Sequence, residues 1–340
     1  MRRYPLSKEF VLATISLLAA ATPARAEWFH REEAIMGTRV AVELWTDDAA
    51  LATRAMDAVM AEMRRTDELM STYKPESQLS QVNAHAYERP VRVDPEIVDV
   101  VEKSFEFSRM SDGAFDVTYA SIGYLYDYRQ HVRPTDEQIH SALPTVDWRQ
   151  VQVNRAEGTI RFLRPGMRID LGGIAKGYAV DRCTEMLRAM GIEHAMVNAG
   201  GDTRLLGDRR GKPWVVGVRD PRNDGRMATR LPLEDEAIST SGDYERYFEE
   251  NGVRYHHILV PGTGKAARDV RSVSIIGPDA ITTDGLSTTV FVLGVERGLA
   301  LVERLPGIEA VIVDKDGAVF HSQGLVAPPP AATATAPPQM

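Results

Sequence analysis

Apolar residues recur along the chain with two different periods, and the changes of period mark out its elements. "TRVAVELW" alternates, with Val40, Val42 and Leu44 on one side, which is the two-residue period of a half-buried strand. Met56, Val59, Met63 and Met70 then recur at helical spacing and predict a helix with an ordinary core stripe. Asp94-Pro95 reads as a cap followed by a first-turn proline. It opens a second helix that carries Ile97, Val101 and Phe105 and ends before a turn at Asp112-Gly113. In "MRIDLGGIAKGYAVDRCTEMLRAMG" a short strand is expected to end at Leu171, two glycines turn the chain, and a helix runs to its stop at Gly191. "HAMVNAGGD" returns as a strand. "ERYFEENGVRYHHIL" holds Asn251-Gly252 between alternating runs, the strongest short-range signal of a hairpin. Alternation puts Val253, Tyr255, His257 and Leu259 on one face and Arg254, His256 and Ile258 on the other, so the adjacent histidines point in opposite directions. Later, "RSVSIIG" is β-rich and "VFVLG" reads as part of a buried helix. Antiparallel hairpins mixed with helices predict an α+β fold rather than a doubly wound sheet.

Composition changes the picture most at the two ends. Arg2, Arg3 and Lys8 form a basic region, Phe10 to Thr22 is mostly apolar, and Ala24-Arg25-Ala26 has the form of a cleavage site. The apolar run is too short to span a bilayer comfortably, so residues 1–26 read as a signal peptide and the mature chain as soluble and periplasmic from Glu27. The Ala/Pro-rich segment 327–340 is low in complexity and expected to be disordered, which leaves 27–326 as one functional domain. Cys183 is the only cysteine, so no internal disulfide and no thiolate metal cluster can form. It lies in phase with Ala179, Met186, Leu187 and Met190 and is expected in the core. Loss of residues 1–26 removes four basic side chains and one acidic one and takes the net charge from −8 to −11. Such a chain is a poor general binder of nucleic acid or anionic lipid, and a phosphate ligand would need a local device.

The candidate chemistry is concentrated in turns. The chain has no G-x-G-x-x-G after a strand, no G-x-x-x-x-G-K-[ST], no H-E-x-x-H and no G-x-S-x-G. "DLGGIAKG" places Gly172 and Gly173 at a helix mouth with Lys176 one turn in. That arrangement suits a pyrophosphate, but it equally suits a plain tight turn with the lysine in solvent. "TTDGLSTT" raises the same choice. Asp284 is either a helix cap or, with Thr288 four residues on, one of two hard oxygens on one face that suit a Mg²⁺ ion carrying phosphates. "NAGGD" and "STSGD" are further turns of this kind. Asp116 in "DGAFD" and Tyr73 in "MSTYKPES" add a carboxylate and an aromatic face.

The order of these stretches resembles the ApbE family, the FAD:protein FMN transferases, over nearly the whole mature chain. The resemblance rests on "MGT", "MSTYKPESQLSQVN", "DGAFDVT", "DLGGIAKGYAVD", "NAGGD", "GKPWVVGV", "ISTSGDYERYF", "HHILVPGTGKA" and "TTDGLSTTVFVLG", in that sequence. It implies an ApbE-like, T-fold-like α+β fold with FAD in a cleft between two lobes and Mg²⁺ on its pyrophosphate. It also implies transfer of FMN to a threonine of another protein with release of AMP. Position by position it implies Asp284, Thr288 and the Gly173 carbonyl as Mg²⁺ ligands. Met36, Tyr73, Ala114, Phe115, Asp116, Asp170, Lys176, His257 and Ile258 are implied as nucleotide contacts, with His257 and Asp284 catalytic and His257 the candidate base. Implied acceptors are FMN-carrying subunits of membrane redox complexes of the Nqr, Rnf and NosR kinds, so the membrane is reached only through the acceptor. Val260 stands where the family has an aspartate, and residues 119–133 depart from the family pattern. Two other readings share the site: a Mg²⁺-dependent FAD pyrophosphatase giving FMN and AMP, and a non-catalytic periplasmic FAD-binding protein.

Overall fold

The computed structural model describes residues 27–221 and 227–325. The expected signal segment and the Ala/Pro-rich tail lie outside the described residues. Along the chain the helices are α1 (Ala49–Met70), α2 (Gln78–His85), α3 (Pro95–Met110), α4 (Ala120–Gly123), α5 (Asp136–Ala142), α6 (Ala175–Ala189) and α7 (Ala280–Val302). One sheet of eight strands dominates. It is built from β1 (Glu27–Ile35), β2 (Thr38–Thr46), β6 (Ala195–Ala199), β7 (Asp202–Leu206), β10 (Ala237–Gly242), β15 (Val270–Gly277), β16 (Glu309–Asp314) and β17 (Val319–His321), in that spatial order. Every neighbouring pair in it is antiparallel. The small sheets are β3 (Val91–Arg92), β5 (Thr159–Phe162) and β4 (Val151–Asn154), and the hairpins β8 (Trp214–Arg219) with β9 (Met227–Leu233), β11 (Tyr247–Glu250) with β12 (Val253–His256), and β13 (Leu259–Val260) with β14 (Lys265–Ala266).

Strand alternation sends neighbouring residues to opposite faces of the large sheet. Leu206 and Ala237 join Val40, Val42, Met56, Val59, Met63 and Cys183 in a core between the sheet, α1 and α6. Their neighbours Leu205 and Ile238 pack on the other face against Trp214, Val218 and Leu233 of the β8–β9 hairpin. A larger core joins α2, α3 and the three-stranded sheet to α7 and β15 through residues such as Phe107, Ile169, Leu171, Leu286, Val290 and Phe291. α7 belongs to both sides, because its first residue Ala280 packs in the α1–α6 core. The fold is thus the mixed α+β arrangement expected.

Two local expectations are corrected, at 167–171 and at Leu259, and the start and course of α7 are defined. Residues 167–171 form no strand: Asn83 holds both the N–H (2.7 Å) and the carbonyl (2.9 Å) of Ile169, and Asp170 N–H donates to the Val117 carbonyl at 3.0 Å. α7 starts four residues before Asp284, with Asp279 as its N-cap accepting from Thr282 N–H at 2.9 Å, so Asp284 is not a cap. Gly294, at φ 80° and ψ −179°, interrupts that helix. β12 stops at His256, and Leu259 belongs to the separate β13–β14 hairpin rather than continuing the alternation. The Asn251-Gly252 turn is as expected, with φ 52° and 75°, the left-handed pair a two-residue hairpin requires.

Candidate active site

The site begins where α6 crosses α7. A Cβ on Gly177 would lie 2.2 Å from the Ala280 carbonyl oxygen and 2.8 Å from Asp284 Cβ, so only glycine lets the two helices approach this closely. At that crossing Gly177 N–H donates to Asp284 Oδ2 at 2.9 Å. The α7 N-terminus is fixed from the same side, since Asp181 of α6 accepts from Ala280 N–H and Ile281 N–H, both at 2.8 Å. Asp284 is consequently a buried carboxylate, 2% exposed, in the second turn of its helix. Burial first, and the neighbouring Asp202 second, push its pKa up to about 7 against the pull of Lys176.

Lys176 does not lie in solvent. Its Nζ stands 2.7 Å from Asp202 Oδ2 and 3.7 Å from Asp284 Oδ2, and it donates to the Gly172 carbonyl at 3.3 Å. Burial opposes the charge on Lys176, yet the two carboxylates outweigh it and raise its pKa. Asp202, at the start of β7, is a member of this site that the residue pattern alone did not single out. Its position one residue past the glycines of "NAGGD" was the available signal.

The hydroxyl-rich start of α7 has a structural use. Ser239 meets Thr283 at 2.8 Å, and Ser241 meets Ser287 at 2.8 Å and Thr288 at 3.3 Å, so α7 is fastened to β10 by hydroxyl pairs. Thr288 is thereby aimed at the α6 mouth. A Cβ on Gly173 would lie 3.2 Å from Thr288 Oγ1 and 3.4 Å from the Phe115 ring. Gly173 from one motif, and Asp284 with Thr288 from another, do converge. Among the described residues no group of three His, Cys, Asp or Glu side chains is placed to hold a metal. A cation here would rest on a carbonyl, a hydroxyl and one carboxylate. Such a hard-oxygen set fits Mg²⁺, which retains water and takes further oxygens from substrate phosphates.

Around this centre the other expected residues take different roles. Asp170 is held by Thr72 Oγ1 (2.8 Å), Gly172 N–H (2.7 Å) and Tyr119 OH (3.3 Å), which rigidifies the turn into α6. Tyr73, next to Thr72, is 78% exposed and presents a free aromatic face. Asp116 is committed internally: Thr118 N–H and Oγ1 donate to one oxygen and Trp148 N–H to the other, and burial raises its pKa. Its backbone and those of Ala114 and Phe115 form the turn beside Gly173. Phe115 is buried against Phe107. Met36 sits at φ 54° in the β1–β2 turn, and Ile258 is buried in the larger core.

The two histidines separate as alternation requires. His256 is buried, its Nε2 2.6 Å from the Ala267 carbonyl, its Nδ1 accepting from Ile258 N–H at 3.3 Å, and its ring edge-on to Phe291. His257 is only partly buried, but its Nδ1 is sealed from solvent and has no hydrogen-bond partner among the described residues. Burial, then the charges of Arg246, His256 and Lys176, lower its pKa to about 3. Arg246 lies opposite it, since His257 N–H donates to the Arg246 carbonyl at 3.1 Å.

A model of the ApbE family matches residues 36–312. The FAD:protein FMN transferase of Treponema pallidum is 34% identical over 322 residues, which are 89% of this chain and 89% of that one. That of Vibrio cholerae is 34% identical over 303 residues, covering 86% of this chain and 89% of its own. Among solved structures, the ApbE protein of Thermotoga maritima superposes with a TM-score of 0.81 at 35% identity, covering 88% of this chain and 98% of that one. The flavin transferase ApbE of Vibrio cholerae gives 0.79 at 31% identity, with the same coverage.

Proposed function

The chain belongs to the ApbE family, and on that premise we propose that it transfers FMN from FAD to a threonine hydroxyl of an acceptor flavoprotein, with Mg²⁺, and releases AMP. The observation that carries this reading is the convergence of Gly173, Asp284 and Thr288 beside Lys176 at the crossing of α6 and α7. A pyrophosphate needs charge neutralisation and in-line positioning more than covalent catalysis, and this set supplies both. The Gly173 carbonyl, Asp284 and Thr288 would hold the cation, whose chemistry is to neutralise phosphate oxygens and favour departure of AMP.

The chain's own residues do the rest. Lys176, pinned between two carboxylates, presents a fixed ammonium at the α6 mouth, and Tyr73 with the 114–116 turn and Met36 offers the nucleotide its walls. His257 takes the proton of the attacking hydroxyl. A bond forms from the threonine oxygen to the FMN phosphorus, the phosphorus–oxygen bond to AMP breaks, and the proton passes to the imidazole. The ring is neutral at pH 7, as a proton acceptor must be, and the negative phosphates of FAD oppose the cations that depress its pKa. The basic and apolar residues of segment 1–26 support export to the periplasm, where FMN-carrying subunits of Nqr-, Rnf- or NosR-like redox complexes would present the acceptor threonine.

The test is to incubate the chain with FAD, Mg²⁺ and an FMN-binding domain of such a subunit, then to map the flavin by peptide mass spectrometry. Flavin on a threonine of the native domain, and none after Thr→Val at that position, is the expected result. Flavin on another residue type would overturn the assignment of the acceptor group.

A further inference from the structure

We propose that Arg246 is a catalytic residue: a cation, unpaired among the described residues, that reaches from the base of the β11–β12 hairpin to the β1–β2 turn and neutralises the phosphoryl group in flight. The proposal rests on the transferase reading above and adds a group to it.

The backbone register places Arg246. β11 and β12 pair Tyr247 with His256, and the ladder continues as His257 N–H donates to the Arg246 carbonyl at 3.1 Å. Directly opposed residues of an antiparallel pair put their side chains on the same face. Arg246 and His257 therefore share one face, while Tyr247 and His256 share the other. The guanidinium then reaches across to the β1–β2 turn, where Nη2 stands 3.6 Å from the position a Cβ of Gly37 would take. Its charge acts on His257, Lys176, Tyr119 and Tyr128, which places it among the residues of the site.

The charges at the site leave a role for it. Lys176 is balanced by two carboxylates, Asp202 and Asp284, so the three together carry one net negative charge. A divalent cation turns that into one net positive charge, against the two negative charges of a pyrophosphate diester. One negative charge remains, and it grows on the leaving oxygen as the bond to AMP breaks. Arg246 can supply the missing positive charge. Its side chain is exposed, and among the described residues no hydrogen bond or ion pair engages its guanidinium. Other arginines close to the β11–β12 hairpin are already occupied: Arg254 by Glu249 and Asp243, and Arg133 by Glu250. A planar fork facing the same space as the base suits three phosphoryl oxygens better than a point charge would.

Arg246→Gln, Arg246→Lys and the unaltered chain should be compared in single-turnover AMP release from FAD with Mg²⁺, with the FMN-binding domain as acceptor and with water alone. FAD affinity is read separately from flavin fluorescence. The expected result is a loss of about 100-fold or more in the turnover rate of Arg246→Gln. Its FAD affinity should change by only a few-fold and its melting temperature should be unaltered, with partial recovery in Arg246→Lys. A rate within about threefold of the unaltered chain, or a loss confined to FAD affinity, overturns the proposal while leaving the transferase reading intact. If the unaltered chain releases no AMP with either acceptor, the transferase reading itself falls and the role of Arg246 falls with it.

Discussion

At the scale of single residues, the environment of Asp284 departs furthest from its sequence motif. Its hydrogen bond to Gly177 N–H and its distance to Lys176 do not compensate for burial beside Asp202, so the folded, metal-free chain holds the Asp284 proton more tightly than the unfolded chain does. With a folded pKa of about 7, raised from 3.8, this group lowers stability as pH climbs between those values, and the deficit is complete above about pH 7. Asp284→Asn should therefore melt no lower than the unaltered chain at pH 8 without Mg²⁺, since its carbonyl can still accept from Gly177. It should gain nothing on Mg²⁺ addition, whereas the unaltered chain should be stabilised. Equal stabilisation of both by Mg²⁺ would remove Asp284 from the metal site. The histidines give a second contrast. His257→Ala should lower the transfer rate by ~10²–10⁴-fold with little loss of stability. His256→Ala should cost about 1–3 kcal/mol, because the Ala267 carbonyl and the Ile258 N–H lose a buried partner. Urea unfolding and acceptor labelling on both variants check the two halves. Alternation foretold that these rings part company, but which ring is buried depends on Phe291 and Ala267, and both are distant in sequence.

At the scale of elements, the site is a property of one helix crossing. Gly177 and Ala280 set how closely α6 and α7 approach, and Asp181 and Asp279 fix where α7 begins. Gly177→Ala should separate the helices, cost about 1–3 kcal/mol by overpacking and depress Mg²⁺-dependent transfer together with stability. Denaturant midpoint and labelling rate should fall in the same variant. A stable Gly177→Ala chain with full activity would mean that the crossing does not build the site. Elements with strong local signals were legible in the sequence, namely α3 from Asp94-Pro95, the β11–β12 turn from Asn251-Gly252, and the stripe of α1. Elements whose partners are remote were not. The 167–171 segment has the composition of a strand, but a side chain of α2, Asn83, takes the hydrogen bonds a neighbouring strand would have taken. The sequence left the start of α7 open because "TTDGLSTT" carries several oxygens able to cap a helix, and the tertiary contact with Asp181 and the cap at Asp279 fix it.

At the scale of the molecule, α7 links the two large cores, with Ala280 in one and Leu286, Val290 and Phe291 in the other. A helix shared in this way should make unfolding of the described body a single cooperative event. Trp28 and Trp214 report the sheet face covered by β8–β9, and Trp148 reports the packing around Phe105. Fluorescence of the unaltered chain and of a Trp148→Phe variant, with far-ultraviolet circular dichroism, should give coincident transitions. An earlier transition carried by Trp148 alone would show that the two cores unfold separately. The α+β class and the convergence of the three oxygen donors were legible from an ordered set of motifs. The grouping of Lys176 with Asp202, and of His257 with Arg246, depends on sheet register, which short motifs do not carry.

Movement of FMN from FAD to a protein at this site can be read by intact mass spectrometry. An FMN-binding acceptor domain is incubated with the chain, FAD and Mg²⁺, and AMP is quantified in the same sample. The domain should gain the mass of FMN less water, with AMP released in equal amount, and neither change should occur with EDTA or with Asp284→Ala. An unmodified domain beside unconsumed FAD, or AMP released with free FMN and no gain in acceptor mass, would contradict the transferase reading.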